Sequence, residues 1–140
     1  MRKMSVLLIA LLATLNMAFI FDSYRYIEPD QFKAWLESNK PMLIVDIQVE
    51  KDFVANHFPG SIATYTYPVE TDPQRKQLDA AVVEAKKNNN EVVIVCPRGG
   101  GGAKRTYDYF KAGGVAEERL FILKGGMGKW PHRQMLKSGK

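Results

Sequence analysis

The first apolar run of the chain, Ser5 to Phe21, carries no charge, follows Arg2 and Lys3, and stops at Asp22. That layout predicts a secretory signal peptide or an N-terminal membrane anchor over residues 1–23, with 5–21 as the anchoring stretch. As a helix it would span ~25 Å, slightly under a ~30 Å hydrocarbon core. Neither Asn16-Met17-Ala18 nor Phe21-Asp22-Ser23 suits the small-x-small cleavage rule, so removal and retention both stay open. The expected location is outside the cytoplasm, in a periplasm, either soluble or anchored.

From Tyr24 onward, apolar runs alternate with stretches of helical spacing. Glu28-Pro29 opens a helix, with proline at its first position, and Phe32, Trp35 and Leu36 share one face. Met42 to Val45 closes on Asp46 as a buried strand would. Glu50 to His57 is a short helix ended by Pro59-Gly60, and Ser61 to Tyr65 reads as a third strand. Beyond Asp72-Pro73, Leu78, Ala81, Val82 and Ala85 predict one helix that stops at Asn88. Glu91 to Cys96 is the strongest strand signal. A glycine run follows, then a helix marked by Ala103, Thr106, Tyr107 and Phe110 and stopped at Gly113-Gly114. Leu120 to Leu123 is the last strand, with a short helix over Met127 to Met135. Strands alternating with helices predict an α/β fold, a mostly parallel central sheet with helices on both faces. In such folds ligands bind beyond the carboxyl ends of strands. Cys96 lies at such an end.

Composition narrows the function. With 46% hydrophobic and 25% charged residues, the chain suits one globular domain over residues 24–140. A single cysteine excludes an intramolecular disulfide and any multi-cysteine metal centre, and two histidines make a poor metal set, so no metal is expected. An exported protein with one unpaired thiol has a thiol to account for. The net charge is 20 − 15 = +5, unevenly spread: residues 22–95 hold 8 basic and 12 acidic groups, residues 96–140 hold 10 and 3. The basic third begins at Cys96. Its cations are scattered over strand, loop and helix without a recognition motif, so no nucleic-acid partner is expected.

The segment at issue is Cys96-Pro97-Arg98-Gly99-Gly100-Gly101-Gly102-Ala103-Lys104-Arg105. Four glycines in a row raise the entropy lost on ordering, which suits a loop whose N–H groups must approach an anion without Cβ atoms in the way. A helix N-terminus behind them adds donors and a positive dipole end, surroundings that suit a reacting thiolate. Lys104 and Arg105 oppose that dipole unless an anion is bound. Arg98, inside the loop, is the first choice for contacting what reaches Cys96. A Walker phosphate loop is excluded because Ala103 precedes Lys104 and Arg105 follows it. A cysteine phosphatase would need arginine six positions after the nucleophile, where Gly102 stands. A Cys–His hydrolase would have to recruit His57 or His132, and no third orienting group is evident.

Three further stretches give these residues a family. Asp46 through Phe53 with Asn56-His57-Phe58-Pro59-Gly60-Ser61, the Cys96–Ala103 loop, and Leu123-Lys124-Gly125-Gly126-Met127-Gly128-Lys129-Trp130 together resemble the rhodanese-like (thiosulfate sulfurtransferase) domain family over residues 24–135. The resemblance implies a three-layer sandwich and a persulfide-forming Cys96. In that chemistry Cys96 takes sulfur from a small anionic donor such as thiosulfate, a polysulfide or a persulfide. It passes the sulfur to a thiol or to cyanide, with no cofactor beyond the covalent persulfide. Arg98, Gly99, Gly100, Gly101, Gly102, Ala103, Lys104 and Arg105 would form the anion-binding loop. Two departures stand out: Gln48 replaces an arginine, and Gly101 occupies a position that arginine or lysine often fills. A module that carries sulfur or docks to a redox partner without efficient turnover is the alternative.

Overall fold

The computed structural model describes residues 23–140; the leader over residues 1–23 lies outside them save for Ser23. The elements are β1 (Tyr26–Ile27), α1 (Pro29–Glu37), β2 (Met42–Asp46), α2 (Glu50–Ala55), β3 (Ile62–Ala63), α3 (Asp72–Lys76), α4 (Asp79–Ala85), β4 (Glu91–Val95), α5 (Gly101–Ala112) and β5 (Leu120–Leu123), with 3-10 turns at Glu117–Arg119, Met127–Lys129 and Arg133–Met135. Five parallel strands lie in the order β1-β5-β4-β2-β3, and helices cover both faces. No helix among the described residues is long and apolar enough to cross a membrane.

Strand parity sorts the core. On β4, Val92 and Ile94 face Ala81, Val82 and Ala85 of α4 and Ala103, Tyr107 and Phe110 of α5. Val93 and Val95 face the other way, toward Phe32 of α1, Phe58, Met127 and Trp130. Cys96 continues the even series, so its side chain lies on the α5 side. β4 is central, paired with β2 on one side and β5 on the other, which places Cys96 at the middle of the carboxyl edge.

Four elements differ from the sequence pattern, each for a local reason. The helix expected from Asp72-Pro73 to Asn88 is two helices. Thr71 caps α3 reciprocally with Gln74, and Leu78, wholly buried, turns the chain before α4 begins. The third strand shrinks to Ile62–Ala63 because the Thr64 N–H and hydroxyl both donate to the Asp46 carbonyl, and Tyr65 turns out of the sheet at φ +57°. The last helix becomes two 3-10 turns on either side of Pro131. The two-residue β1 was not foreseen, since two positions show no period. It is held by the Ile122 and Lys124 N–H groups, which donate to Arg25 and Ile27.

Candidate active site

Cys96 is 1% exposed and stands one residue past β4. Its Sγ accepts the Gly99 N–H at 2.7 Å, so one backbone donor already points at the sulfur. The loop that carries this donor is held from below by the second glycine motif. The Met127 N–H donates to the Cys96 carbonyl at 2.8 Å and the Gly128 N–H to the Pro97 carbonyl at 2.9 Å. Gly126 (φ +62°) and Gly99 (φ +72°) pack backbone on backbone: a Cβ on Gly99 would lie 2.9 Å from the Gly125 nitrogen. Tetraglycine or not, this loop is locked rather than slack.

α5 begins inside the glycine run, at Gly101. The Lys104 N–H closes the first helical bond onto Gly100, so the N–H groups of Gly101, Gly102 and Ala103 have no acceptor within the helix. They form the positive end of a twelve-residue helix directly behind the Cys96 loop.

The three cations of the segment take different places. Arg98 is exposed at the loop surface. Lys104 lies with its ammonium 5.5 Å from the Tyr24 ring centroid. Arg105 folds back along α5, and its Nε and Nη2 donate to the Pro68 carbonyl at 3.2 and 3.0 Å. Ala103 is wholly buried in the core under the loop.

One wall of the site had no signal in the sequence. Residues 64–70 leave β3 and cross over α5, where the Tyr67 ring and the Ile47 side chain stand against Gly102: a Cβ there would be 3.1 Å from Tyr67 and 3.3 Å from Ile47. The backbone is φ-positive at Tyr65 and Val69, unusual for such side chains. The Tyr67 N–H donates to Ile47, tying this wall to the end of β2. A run of aromatic and β-branched residues reads as strand, which is why the wall was invisible.

Both histidines are engaged away from the thiol. His57 stacks on Phe53 with ring centroids 4.1 Å apart, and its Nδ1 lies 2.9 Å from the Phe53 carbonyl. His132 Nε2 is 3.5 Å from Asp30, and its ring stands edge-on to Trp130. Among the described residues, no cluster of three or more His, Cys, Asp or Glu side chains could hold a metal ion.

Asp46, beside Val95 in the sheet, is wholly buried, and no cation pairs with it among the described residues. Gln48 supplies two hydrogen bonds, from its backbone N–H to Oδ1 at 2.9 Å and from Nε2 to Oδ2 at 3.0 Å; Nε2 also donates to the Asn56 carbonyl. Burial pushes the carboxyl up to about 6, against the opposing pull of Gln48 and of the His57 charge. Beyond Gln48 a cleft of about 360 Å³ opens, lined by Asp52, Asn56, Pro97 and Arg133 among others.

The model of the rhodanese-like domain family matches residues 28–132. No curated protein matches the chain. Among solved structures, a yeast protein tyrosine phosphatase of the rhodanese family, Ygr203w, superposes with a TM-score of 0.63 at 14% identity, covering 86% of this chain and 96% of that one. A rhodanese-like domain protein from Staphylococcus aureus gives 0.58 at 24% identity, with 83% and 99% covered. A thiosulfate sulfurtransferase from Pseudomonas aeruginosa gives 0.62 at 19% identity, with 83% of this chain but 20% of that longer one. The sheet order, the cysteine at the end of β4 and the glycine motif beneath it go with that match, and the chain belongs to the rhodanese-like domain family.

Proposed function

We propose that this rhodanese-like protein is a sulfurtransferase that carries sulfane sulfur on Cys96. The observation that supports it most is the sulfur's own setting: Sγ takes the Gly99 N–H at 2.7 Å, with the N–H groups of Gly101, Gly102 and Ala103, which have no acceptor within their helix, at the helix start behind it. A persulfide adds an outer, negatively charged sulfur to this site, and fixed N–H donors stabilise such charge without reorganising. In the first half-reaction the Cys96 thiolate attacks the outer sulfur of thiosulfate. The Cys96 S–S bond forms, the S–S bond of thiosulfate breaks, and sulfite leaves with the electron pair. In the second, cyanide or a thiolate attacks the outer sulfur and the Cys96 thiolate returns. Neither step needs a general acid of high precision, which suits a site whose histidines lie elsewhere.

The yeast neighbour Ygr203w is a protein tyrosine phosphatase of the rhodanese family. A phosphoryl group carries oxygens that call for a planar, bidentate cation beside the nucleophile. Six residues past Cys96 the chain has Gly102, and Tyr67 and Ile47 occupy the space into which a side chain there would grow. That argues against phosphate esters. The carrier reading is favoured by one fact, the 1% exposure of Cys96, which leaves acceptors a narrow approach.

Intact mass decides among these. The wild-type protein is incubated with thiosulfate or polysulfide, then with cyanide, beside Cys96→Ser. Sulfur transfer gives one added sulfur on wild type alone, lost again as thiocyanate over many turnovers. A single release without turnover identifies a carrier. Wild type that gains no sulfur from any donor, or that hydrolyses p-nitrophenyl phosphate, overturns the proposal.

A further inference from the structure

Long side chains on a helix lean toward its N-terminus and lie over the residue four positions back. For Arg105 that residue is Gly101, the first of α5. Because Gly101 has no side chain, the guanidinium rests directly against its backbone: a Cβ at Gly101 would be 3.0 Å from Nη1, 3.3 Å from Nη2 and 3.4 Å from Cζ. A side chain at position 101 and the Arg105 guanidinium therefore compete for one place. Nε and Nη2 are fixed by the Pro68 carbonyl, and Nη2 also reaches Glu70 at 3.4 Å. Nη1 is the part of the fork nearest Gly101, and no acceptor for it is found among the described residues.

On its own this position is unfavourable. A cation laid over the first turn meets the positive end of the helix dipole, and Glu70, 64% exposed, offsets little of that. An anion held between Nη1 and the N–H groups of the first turn reverses the sign. The other two cations are placed differently, Arg98 out at the surface and Lys104 over Tyr24.

We propose that Arg105 is the specificity-determining cation of this site, receiving an anionic sulfur donor over Gly101 at the mouth of the Cys96 loop. The inference rests on the sulfurtransferase reading for the identity of the donor, and on geometry alone for the preference for anions. Thiosulfate is a dianion that must approach a thiolate, so without a cation the two repel. The anchored, two-dimensional fork of an arginine presents the free Nη1 in a fixed direction, which a lysine would not.

A pair of thiol reagents nearly equal in size separates charge from access. Iodoacetate is anionic and iodoacetamide neutral, and both alkylate Cys96 without any sulfur transfer. The rate ratio of the two, read by intact mass on the full chain, should fall about tenfold in Arg105→Ala, the scale of one charge-assisted hydrogen bond. Arg105→Lys should fall between, and Arg98→Ala should lower the ratio less than Arg105→Ala does. In parallel, the thiosulfate concentration giving half-maximal persulfide should rise about tenfold in Arg105→Ala with the final yield unchanged. An unchanged ratio in Arg105→Ala overturns the assignment, as does an equal or larger fall in Arg98→Ala. Equal slowing with both reagents would make Arg105 only a strap on Pro68, and also overturns it. Should no persulfide form with any donor while the ratio still falls, the sulfurtransferase reading fails and Arg105 stands as an anion receptor.

Discussion

Gly126 lies so close beneath Cys96 that a Cβ added to it would sit 2.2 Å from the Cys96 carbonyl oxygen, and 2.7 and 2.8 Å from the Arg98 and Gly99 nitrogens. All three contacts are backbone, so nothing can rotate away, and the residue also holds φ at +62°. Gly126→Ala should destabilise the fold by about 3 kcal/mol or more, or prevent folding. Gly125→Ala is the control. It is strained at φ +78° and its Cβ would lie 2.8 Å from the Lys129 Cβ, a milder clash than the 2.2 Å backbone contact at Gly126, so a smaller loss of about 2 kcal/mol is expected. Urea unfolding of the two variants beside wild type checks the ranking. Equal midpoints for all three would show that the loop does not rest on Gly126.

The Met127–Lys129 turn that follows is anchored by Trp130. Its ring is 2% exposed, with Phe58 and Phe32 edge-on at 4.9 and 5.7 Å and its Nε1–H donating to the His132 carbonyl at 2.8 Å. Removing so large a side chain costs about 3–5 kcal/mol. Because the Met127 N–H holds the Cys96 carbonyl, the loss should also reach the loop. Trp130→Ala is therefore expected to lower the melting temperature and, below that temperature, to load Cys96 with sulfur more slowly than wild type. Normal loading in a destabilised variant would separate the anchor from the site.

α1 ends in a Schellman arrangement: the Lys40 N–H donates to Trp35 and the Asn39 N–H to Leu36, with Asn39 at φ +53°. Glycine adopts that conformation at no steric cost, and alanine pays it in full. Asn39→Gly should stabilise by a few tenths of a kcal/mol and Asn39→Ala destabilise by about 1 kcal/mol. Denaturant midpoints moving in opposite directions would bear this out, and a shared direction would not.

Where one side chain recurs at a helix or strand period, the fold was legible. Phe32, Trp35 and Leu36 placed α1, and the unbroken Glu91–Val95 run placed β4 with Cys96 at its end. What escaped has no period. Thr71 and Gln74 divide a helix through side-chain bonds that only two positions carry. Tyr67 and Ile47 meet Gly102 across long stretches of chain, and nothing in either segment names the other. The glycine run was readable as a loop and helix start behind Cys96. That Arg105 lies over Gly101 was not, because it reaches that residue only through the backward lean of a helical side chain.

Gln48 in place of arginine leaves Asp46 buried with amide donors instead of a charge, and this sets a pH dependence. Its carboxyl is raised from 3.8 to about 6 in the folded protein, so between those values the folded state holds a proton that the unfolded state has released. Stability from this group is fullest below about pH 4 and declines as pH rises through about 6. The whole decline amounts to about 3 kcal/mol. Measured against Asp46→Asn, which cannot titrate, wild type should lose stability between about pH 4 and 6. Gln48→Arg should reverse the effect. The longer side chain has the neighbouring cleft of about 360 Å³ to enter, and a guanidinium at the Oδ2 now bonded by the amide lowers the carboxyl instead of leaving it raised. Its stability relative to Asp46→Asn should then hold level over that interval and climb with pH only below about pH 4. Parallel pH profiles for wild type and Asp46→Asn would show that the Asp46 proton is not linked to folding.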